Sequence, residues 1–107
     1  MIEIRRSGNG ALLLEVDADS LEGASLNRAD LRHAYLANAQ RSEAAMHRAN
    51  LMGADLAEAD LSRADLSNAI LKGADLRRAV LAETELSGAR LVMSDLGEAE
   101  LVGARLE

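Results

Sequence analysis

The stretch Ala54-Asp55-Leu56-Ala57-Glu58, Ala59-Asp60-Leu61-Ser62-Arg63, Ala64-Asp65-Leu66-Ser67-Asn68 states one five-residue phrase three times. The phrase runs on in both directions. Every fifth residue from Leu21 to Leu106 gives 18 positions, of which 16 are Leu, one is Met46 and one is Arg41. Two residues before each lies a second register, from Asp19 to Ala104, with Ala at 15 of 18 positions and Asp19, Thr84 and Ser94 as the exceptions. No insertion or deletion breaks the phase, so the repeat governs the fold.

A period of five suits neither regular element. On an α-helix five residues turn ~500°, so successive leucines step ~140° around the axis and no apolar face forms. In a plain strand an odd period points successive leucines to opposite faces. The remaining solution turns a corner every five residues. The Ala and the Leu then both point inward, the residue between them points out, and the two residues after the Leu make the corner. The second corner residue is Gly or Asn at Gly23, Asn38, Gly53, Asn68, Gly73, Gly88 and Gly103, which tolerate the positive φ of a type II turn. Elsewhere it is Arg, Glu, His or Met, as at Arg28, Glu58, Arg78 and Glu98. These fit a type I turn better, so a mixture of the two turns is expected.

The run 54–68 resembles the pentapeptide repeat family, whose motif is Ala-(Asp/Asn)-Leu-X-X, and the resemblance extends over about residues 19–107. It implies an all-β fold, a right-handed quadrilateral parallel β-helix with four pentapeptides per coil. The 107 residues then form one domain, with a cap over 1–18 and about four and a half coils over 19–107. Phe, frequent elsewhere in the family at the centre position, is absent, and Leu fills that role.

Solenoid ends need covering. At the N-terminus Ile2 and Ile4 alternate with Glu3 and Arg5, Ser7-Gly8-Asn9-Gly10 is rich in turn residues, and Leu12-Leu13-Leu14-Glu15-Val16 comes next. This reads as a hairpin serving as a lid. No such device follows the last repeats, and Leu91, Leu96, Leu101 and Leu106 are expected to form a homodimer contact with a second chain.

With four pentapeptides per coil, residues 20 apart stack in columns and the outward residues sort onto four faces. The first is centred on 21, 41, 61, 81 and 101, the second on 26 to 106, the third on 31 to 91 and the fourth on 36 to 96. Acid concentrates on the fourth and first faces, which adjoin: Asp55, Glu58, Asp75, Asp95 and Glu98 on one, Asp60, Glu83 and Glu100 on the other. Carboxylates along a rod could approximate the phosphates of duplex DNA. Topoisomerase-protecting relatives are thought to imitate DNA in this way, so the resemblance makes DNA gyrase a candidate protein partner. Much of this acid also fills the motif's Asp/Asn slot, where local backbone hydrogen bonding is expected. The third face is mildly basic and carries Met52, Ile70, Val92 and Met93 outward, a candidate apolar surface. Arg41 breaks the centre register and marks either a bulge or a paired guanidinium.

Chemistry is sparse. With no Cys there is no disulfide scaffold or thiol nucleophile. His33 and His47 fall at different corners and are not expected to converge on a metal. No Ser–His–Asp set is identifiable and no Gly-rich loop joins a strand to a helix. A Leu/Ala interior leaves no ligand cavity. The expectation is a protein that is not an enzyme, with no cofactor, catalytic or metal site. A net charge of −6 argues against direct nucleic-acid binding. The short apolar runs do not span a membrane, and the N-terminus lacks a signal-peptide core, which points to a cytoplasmic protein. Two function classes result: an acidic-sided interaction rod, or a self-associating scaffold with no topoisomerase link.

Overall fold

The computed structural model describes residues 2–16, 25–37 and 43–106. Arg41, the break in the centre register, lies outside these residues, as do the first repeats before Ser25. Two strands, β1 (Ile2–Arg5) and β2 (Leu12–Val16), form the antiparallel hairpin. The pairing is Ile2 with Val16, Glu3 with Glu15 and Ile4 with Leu14, and it slips between Ile4 and Arg5. The turn suits its residues: Gly8 and Gly10 take positive φ, and the Asn9 side chain accepts the Ala11 N–H at 2.9 Å. The chain beyond β1 then pairs antiparallel with the first described coil. The Ser7 N–H donates to the His33 carbonyl and the Tyr35 N–H to the Arg5 carbonyl, both at 2.7 Å. Ile4 is buried in the core, so the hairpin covers both an edge and an apolar interior.

The rest is a four-sided parallel β-helix. Its coils contact through bridges between residues 20 apart, from Ser25 with Ala45 to Glu85 with Arg105. Each straight side is too short for a long strand, since corners interrupt it every five residues. The inward registers are dry. Leu31, Leu51, Leu56, Leu61, Leu66, Leu71, Leu76 and Leu81 are fully buried, with the alanines between them. Met46 fills a leucine slot equally well, as an unbranched side chain of similar volume should. Burying one such side chain stabilises the fold by about 1.5–3 kcal/mol. The exceptions in the alanine register satisfy themselves. The Thr84 hydroxyl, fully buried, donates to the Leu61 carbonyl of the coil beneath at 2.7 Å, and the Ser94 hydroxyl donates to the Leu91 carbonyl at 2.6 Å.

The backbone explains the motif. In Ala54-Asp55-Leu56-Ala57-Glu58 all five N–H groups are paired. Ala54 donates across the turn to Leu51, Asp55 to Ala34 in the coil below, and Leu56 and Glu58 to Asp75 and Arg77 in the coil above. The fifth, on the first corner residue Ala57, donates to the Asp55 carboxylate at 3.1 Å. The same side-chain bond recurs from Ser62 to Asp60, Ser67 to Asp65, Arg77 to Asp75 and Gly97 to Asp95. The Asp/Asn slot thus closes the one backbone donor that no neighbouring coil's main chain accepts; at His47, where the slot is Ala45, the Asn27 side chain of the coil below accepts it instead at 2.8 Å.

The expected mixture of turns is corrected. Every described second-corner residue has positive φ, including Arg28, His33, Glu43, Arg48, Glu58, Arg63, Arg78, Glu83, Met93 and Glu98, at 57–62°. With the bond from each Ala N–H back to the preceding Leu carbonyl, all are type II turns. Stacking imposes this. The second-corner N–H must donate to the first-corner carbonyl one coil on, as Arg48 does to Ser67 and Gly73 to Val92, and a type I turn would misaim it. The ladder outweighs a local cost of roughly 1–2 kcal/mol per residue. Arg48 is exposed and forms no ion pair among the described residues, so it tests this cleanly. Arg48→Val should lower stability by about 1–3 kcal/mol, because a β-branched side chain is least tolerant of positive φ. Arg48→Gly should change it by less than about 1 kcal/mol, relief of strain being offset by glycine's chain entropy. Urea unfolding of the two variants measures the difference.

Candidate functional site

The fourth face presents a column of Tyr35, Asp55, Asp75 and Asp95, each bridged to the next and therefore spaced by about 4.8 Å. Arg77 lies beside it. Its guanidinium meets both Asp75 oxygens, at 2.9 and 2.7 Å, and reaches Asp95 at 3.9 Å. The small residues Ala57 and Gly97, below and above Arg77 in its own column, leave a shallow depression there. The hydrogen bonds from Arg77 hold the Asp75 carboxyl below the usual carboxylate range, and those from Asp75 raise Arg77 further above its ordinary value. At the corner between the fourth and first faces Arg78 stands between Glu58 at 3.9 Å and Glu98 at 3.7 Å. The next corner repeats the alternation, with Arg63 3.5 Å from Glu43 and with Glu83 one coil above. Asp60 and Glu100 lie on the first face with Val80 between them.

The eight acidic candidates therefore occupy two adjoining flanks, as their spacing requires, and they divide by partner. Asp75, Asp95, Glu58 and Glu98 are engaged by Arg77 and Arg78. Asp55, Asp60, Glu83 and Glu100 form no ion pair among the described residues. On the other side Arg28, Arg48, Lys72, Arg90 and Arg105 likewise have no carboxylate partner among them. The candidate apolar residues do not form one patch. Met52 is half-buried near the hairpin beside Arg6 and Leu13, Ile70 is half-buried between Asn50 and Arg90, and Val92 and Met93 project from a corner of the coil 87–106.

One constellation was missed from the sequence, in which no Ser–His–Asp set is identifiable. The structure aligns Asp65, Ser67 and His47. The Ser67 hydroxyl donates to Asp65 at 2.5 Å, and His47 Nδ1 lies 2.7 Å from the same oxygen. With its proton committed to Asp65, Ser67 accepts from Nδ1–H. This polarity is opposite to that of an activated nucleophile, where the imidazole takes the hydroxyl proton. The signal was available as a 20-residue offset between His47 and Ser67. Ser87 repeats the motif with Glu85. Among the described residues no group of three His, Asp or Glu side chains could hold a metal ion, and no helix is long and apolar enough to cross a membrane.

The coil formed by 87–106 differs from those beneath it. The N–H groups of Leu71, Leu76 and Leu81 are paired to the coil above, whereas those of Leu91, Leu96 and Leu101 have no backbone partner among the described residues. The same holds for the carbonyls of Ala89, Ala99 and Ala104. Leu91 and Leu96 are half-buried, Leu101 is 38% exposed and Leu106 58%. Two of its corners are apolar, with Val92 and Met93 at one and Val102 at the other, all strongly exposed.

A family model described as pentapeptide repeats matches residues 20–53 and 59–97 in eight copies. The chain belongs to the pentapeptide repeat family. Among solved pentapeptide repeat proteins it is 27% identical to one from the Arabidopsis thaliana thylakoid lumen, covering 79% of this chain and 63% of that one, with a TM-score of 0.45. It is 37% identical to one from the cyanobacterium Nostoc involved in heterocyst differentiation regulation, covering 80% and 36%, with a TM-score of 0.41. To a further Nostoc member it is 40% identical, covering 78% and 64%, with a TM-score of 0.33. The chain thus spans less than two thirds of the length of each. No curated protein matches it.

The pentapeptide-repeat flank has a pH signature. Asp75 titrates below its unfolded value, so its ion pair stabilises the fold above pH ~4 and that contribution is lost as pH falls through the folded value. Asp75→Asn keeps the acceptor for the Arg77 N–H but removes the charge. Thermal melts should show the wild type more stable than this variant at pH 6, with the gap closing towards pH 3.

Proposed function

We propose that this chain is a non-enzymatic protein-interaction module that associates with a second copy through the coil 87–106 and leaves its charged flanks to another protein. The observation that carries this reading is the coil 87–106, where strand-edge groups with no backbone partner among the described residues surround exposed Leu101 and Leu106. Such an edge invites pairing with another chain. The exposed, convex flanks give no enclosed site in which water would be excluded from a reacting group. Light scattering at high micromolar concentration should give a species of about twice 11.4 kDa. Leu106→Glu should shift it to the monomer, because a charge would be buried without a partner at the contact. A wild-type species of 11.4 kDa alone would remove the reading.

A second reading rests on Asp55, Asp60, Glu83 and Glu100, the flank carboxylates with no ion pair among the described residues. They favour a basic protein surface, and the gyrase form of that idea is tested by DNA supercoiling with and without the protein. The clean variant is Asp55→Asn/Asp60→Asn/Glu83→Gln/Glu100→Gln. Lys at 55 and 60 would also remove the acceptors of the Ala57 and Ser62 N–H groups, confusing charge with fold. If the acidic flank binds, this quadruple variant loses the effect on supercoiling while melting cooperatively. An unchanged effect rejects the flank.

A further inference from the structure

The lid meets the first described coil around a cavity of about 330 Å³, lined by Arg6, Leu13, Asp30, Arg32, His33 and Met52. Main-chain pairing fixes its walls. The Ser7 N–H donates to the His33 carbonyl at 2.7 Å and Arg6 bridges to Ala34, so the lid holds Arg6 against the corner that carries His33. Leu13 comes from β2 and packs against the core. Met52 stands one coil above Arg32 in the same column. A Cβ at position 53 would come within 2.6 Å of the His33 ring, so the imidazole occupies room that Gly53 leaves. The charges of the cavity are unevenly matched. Asp30 accepts from Arg32 Nε at 2.9 Å and from Nη2 at 2.8 Å, which fixes the guanidinium and leaves its Nη1 without a partner among the described residues. Arg6 is exposed and its side chain has neither an ion pair nor a hydrogen bond among the described residues. Asp30 therefore balances Arg32, and Arg6 leaves the cavity with a net positive charge.

We infer that this cavity binds a phosphate monoester of a small apolar group, with the phosphoryl oxygens on Arg6, Arg32 and His33 and the organic part against Leu13 and Met52. The donors select the anion. A guanidinium carries five N–H donors and no acceptor, and it pairs with phosphate through two parallel bonds. One such fork satisfies a planar carboxylate. Three donor side chains, one from the lid and two from the coil, suit a tetrahedral group with three outer oxygens. The walls select the ester. A bare anion would leave Leu13 and Met52 facing water, whereas an apolar body covers them, and a mostly apolar lining with a few convergent polar groups is the usual composition of a small-molecule site. The site is complete only with the lid in place, because Arg6 and Leu13 both belong to it.

Titration of the whole chain with phenyl phosphate, followed by nuclear magnetic resonance, tests this directly. The methyl signals of Leu13 and Met52 and the ring signals of His33 should move together, with a Kd on the order of 1 mM, while those of Val92 and Met93 stay in place. Inorganic phosphate and benzoate, which each lack one half of the ligand, should bind about fivefold more weakly or worse. Arg6→Gln should raise the Kd for phenyl phosphate about tenfold. It leaves the Arg6 main-chain bonds to Gly10 and Ala11 intact. Arg48→Gln, which removes an exposed and unpaired arginine at another corner, should change the Kd by less than about twofold. No movement at about 10 mM phenyl phosphate overturns the site. So does movement at Val92 and Met93 equal to that at Leu13 and Met52, a reading that needs no variant. Equal affinity for inorganic phosphate or benzoate overturns the ligand class. An unchanged Kd in a cooperatively melting Arg6→Gln variant, or an equal loss with Arg48→Gln, reduces the binding to general attraction of anions and overturns the assignment.

Discussion

Turning a parallel chain through a corner every five residues leaves one backbone N–H that no main-chain carbonyl of a neighbouring coil accepts among the described residues, and the motif is arranged around closing it. In the repeat 54–58 that donor belongs to Ala57 and the acceptor is the Asp55 side chain. Once it is closed, all five donors of the repeat are paired, and a chain with almost no continuous strand becomes as fully hydrogen-bonded as a sheet. The Leu and Ala then fill the space inside the turn, and their uniform size lets successive coils match. Interior packing and the backbone ladder depend on the same residue spacing, so neither can slip without the other.

That constraint explains why the repeat, the inward registers and the lid were legible from residue order, while the corners were not. Leu and Ala recur because the interior selects them directly, and Ile4 declared itself by alternation. The corner conformation is selected by the coil above. Arg48 must aim its N–H at the Ser67 carbonyl, and a residue type that would locally prefer another turn is carried into positive φ by its neighbours. Local propensity is a weak guide wherever the partner lies 20 residues away. The alignment of His47 with Ser67 was hidden for the same reason: the column is visible only after the coil length is used to stack the sequence, residue on residue.

The charges follow a similar hierarchy. A count of acidic residues gives two acidic flanks, but Asp55, Asp60, Asp65, Asp75 and Asp95 all accept a main-chain N–H, so their presence is required by the turn before it is available to a partner. Arg77 and Arg78 then engage the carboxylates nearest them. Surface ion pairs of this kind add little stability individually, yet they reduce the field that the flank presents. Residual negative charge rests on Asp55, Asp60, Glu83 and Glu100, of which Glu83 and Glu100 lie outside the motif's carboxylate slot or replace it with a longer side chain.

The hairpin side and the coil 87–106 contrast in how their edges are met among the described residues. At the N-terminal side the hairpin supplies a strand to the first described coil's edge and inserts Ile4 into its interior. In the coil 87–106 the N–H groups of Leu91, Leu96 and Leu101 have no backbone partner among the described residues, over leucines that are increasingly exposed. A solvated edge can be tolerated by a sheet, since water satisfies its polar groups, but water gives nothing to Leu101 and Leu106. The corners Val92, Met93 and Val102 extend that apolar surface outward, all three strongly exposed.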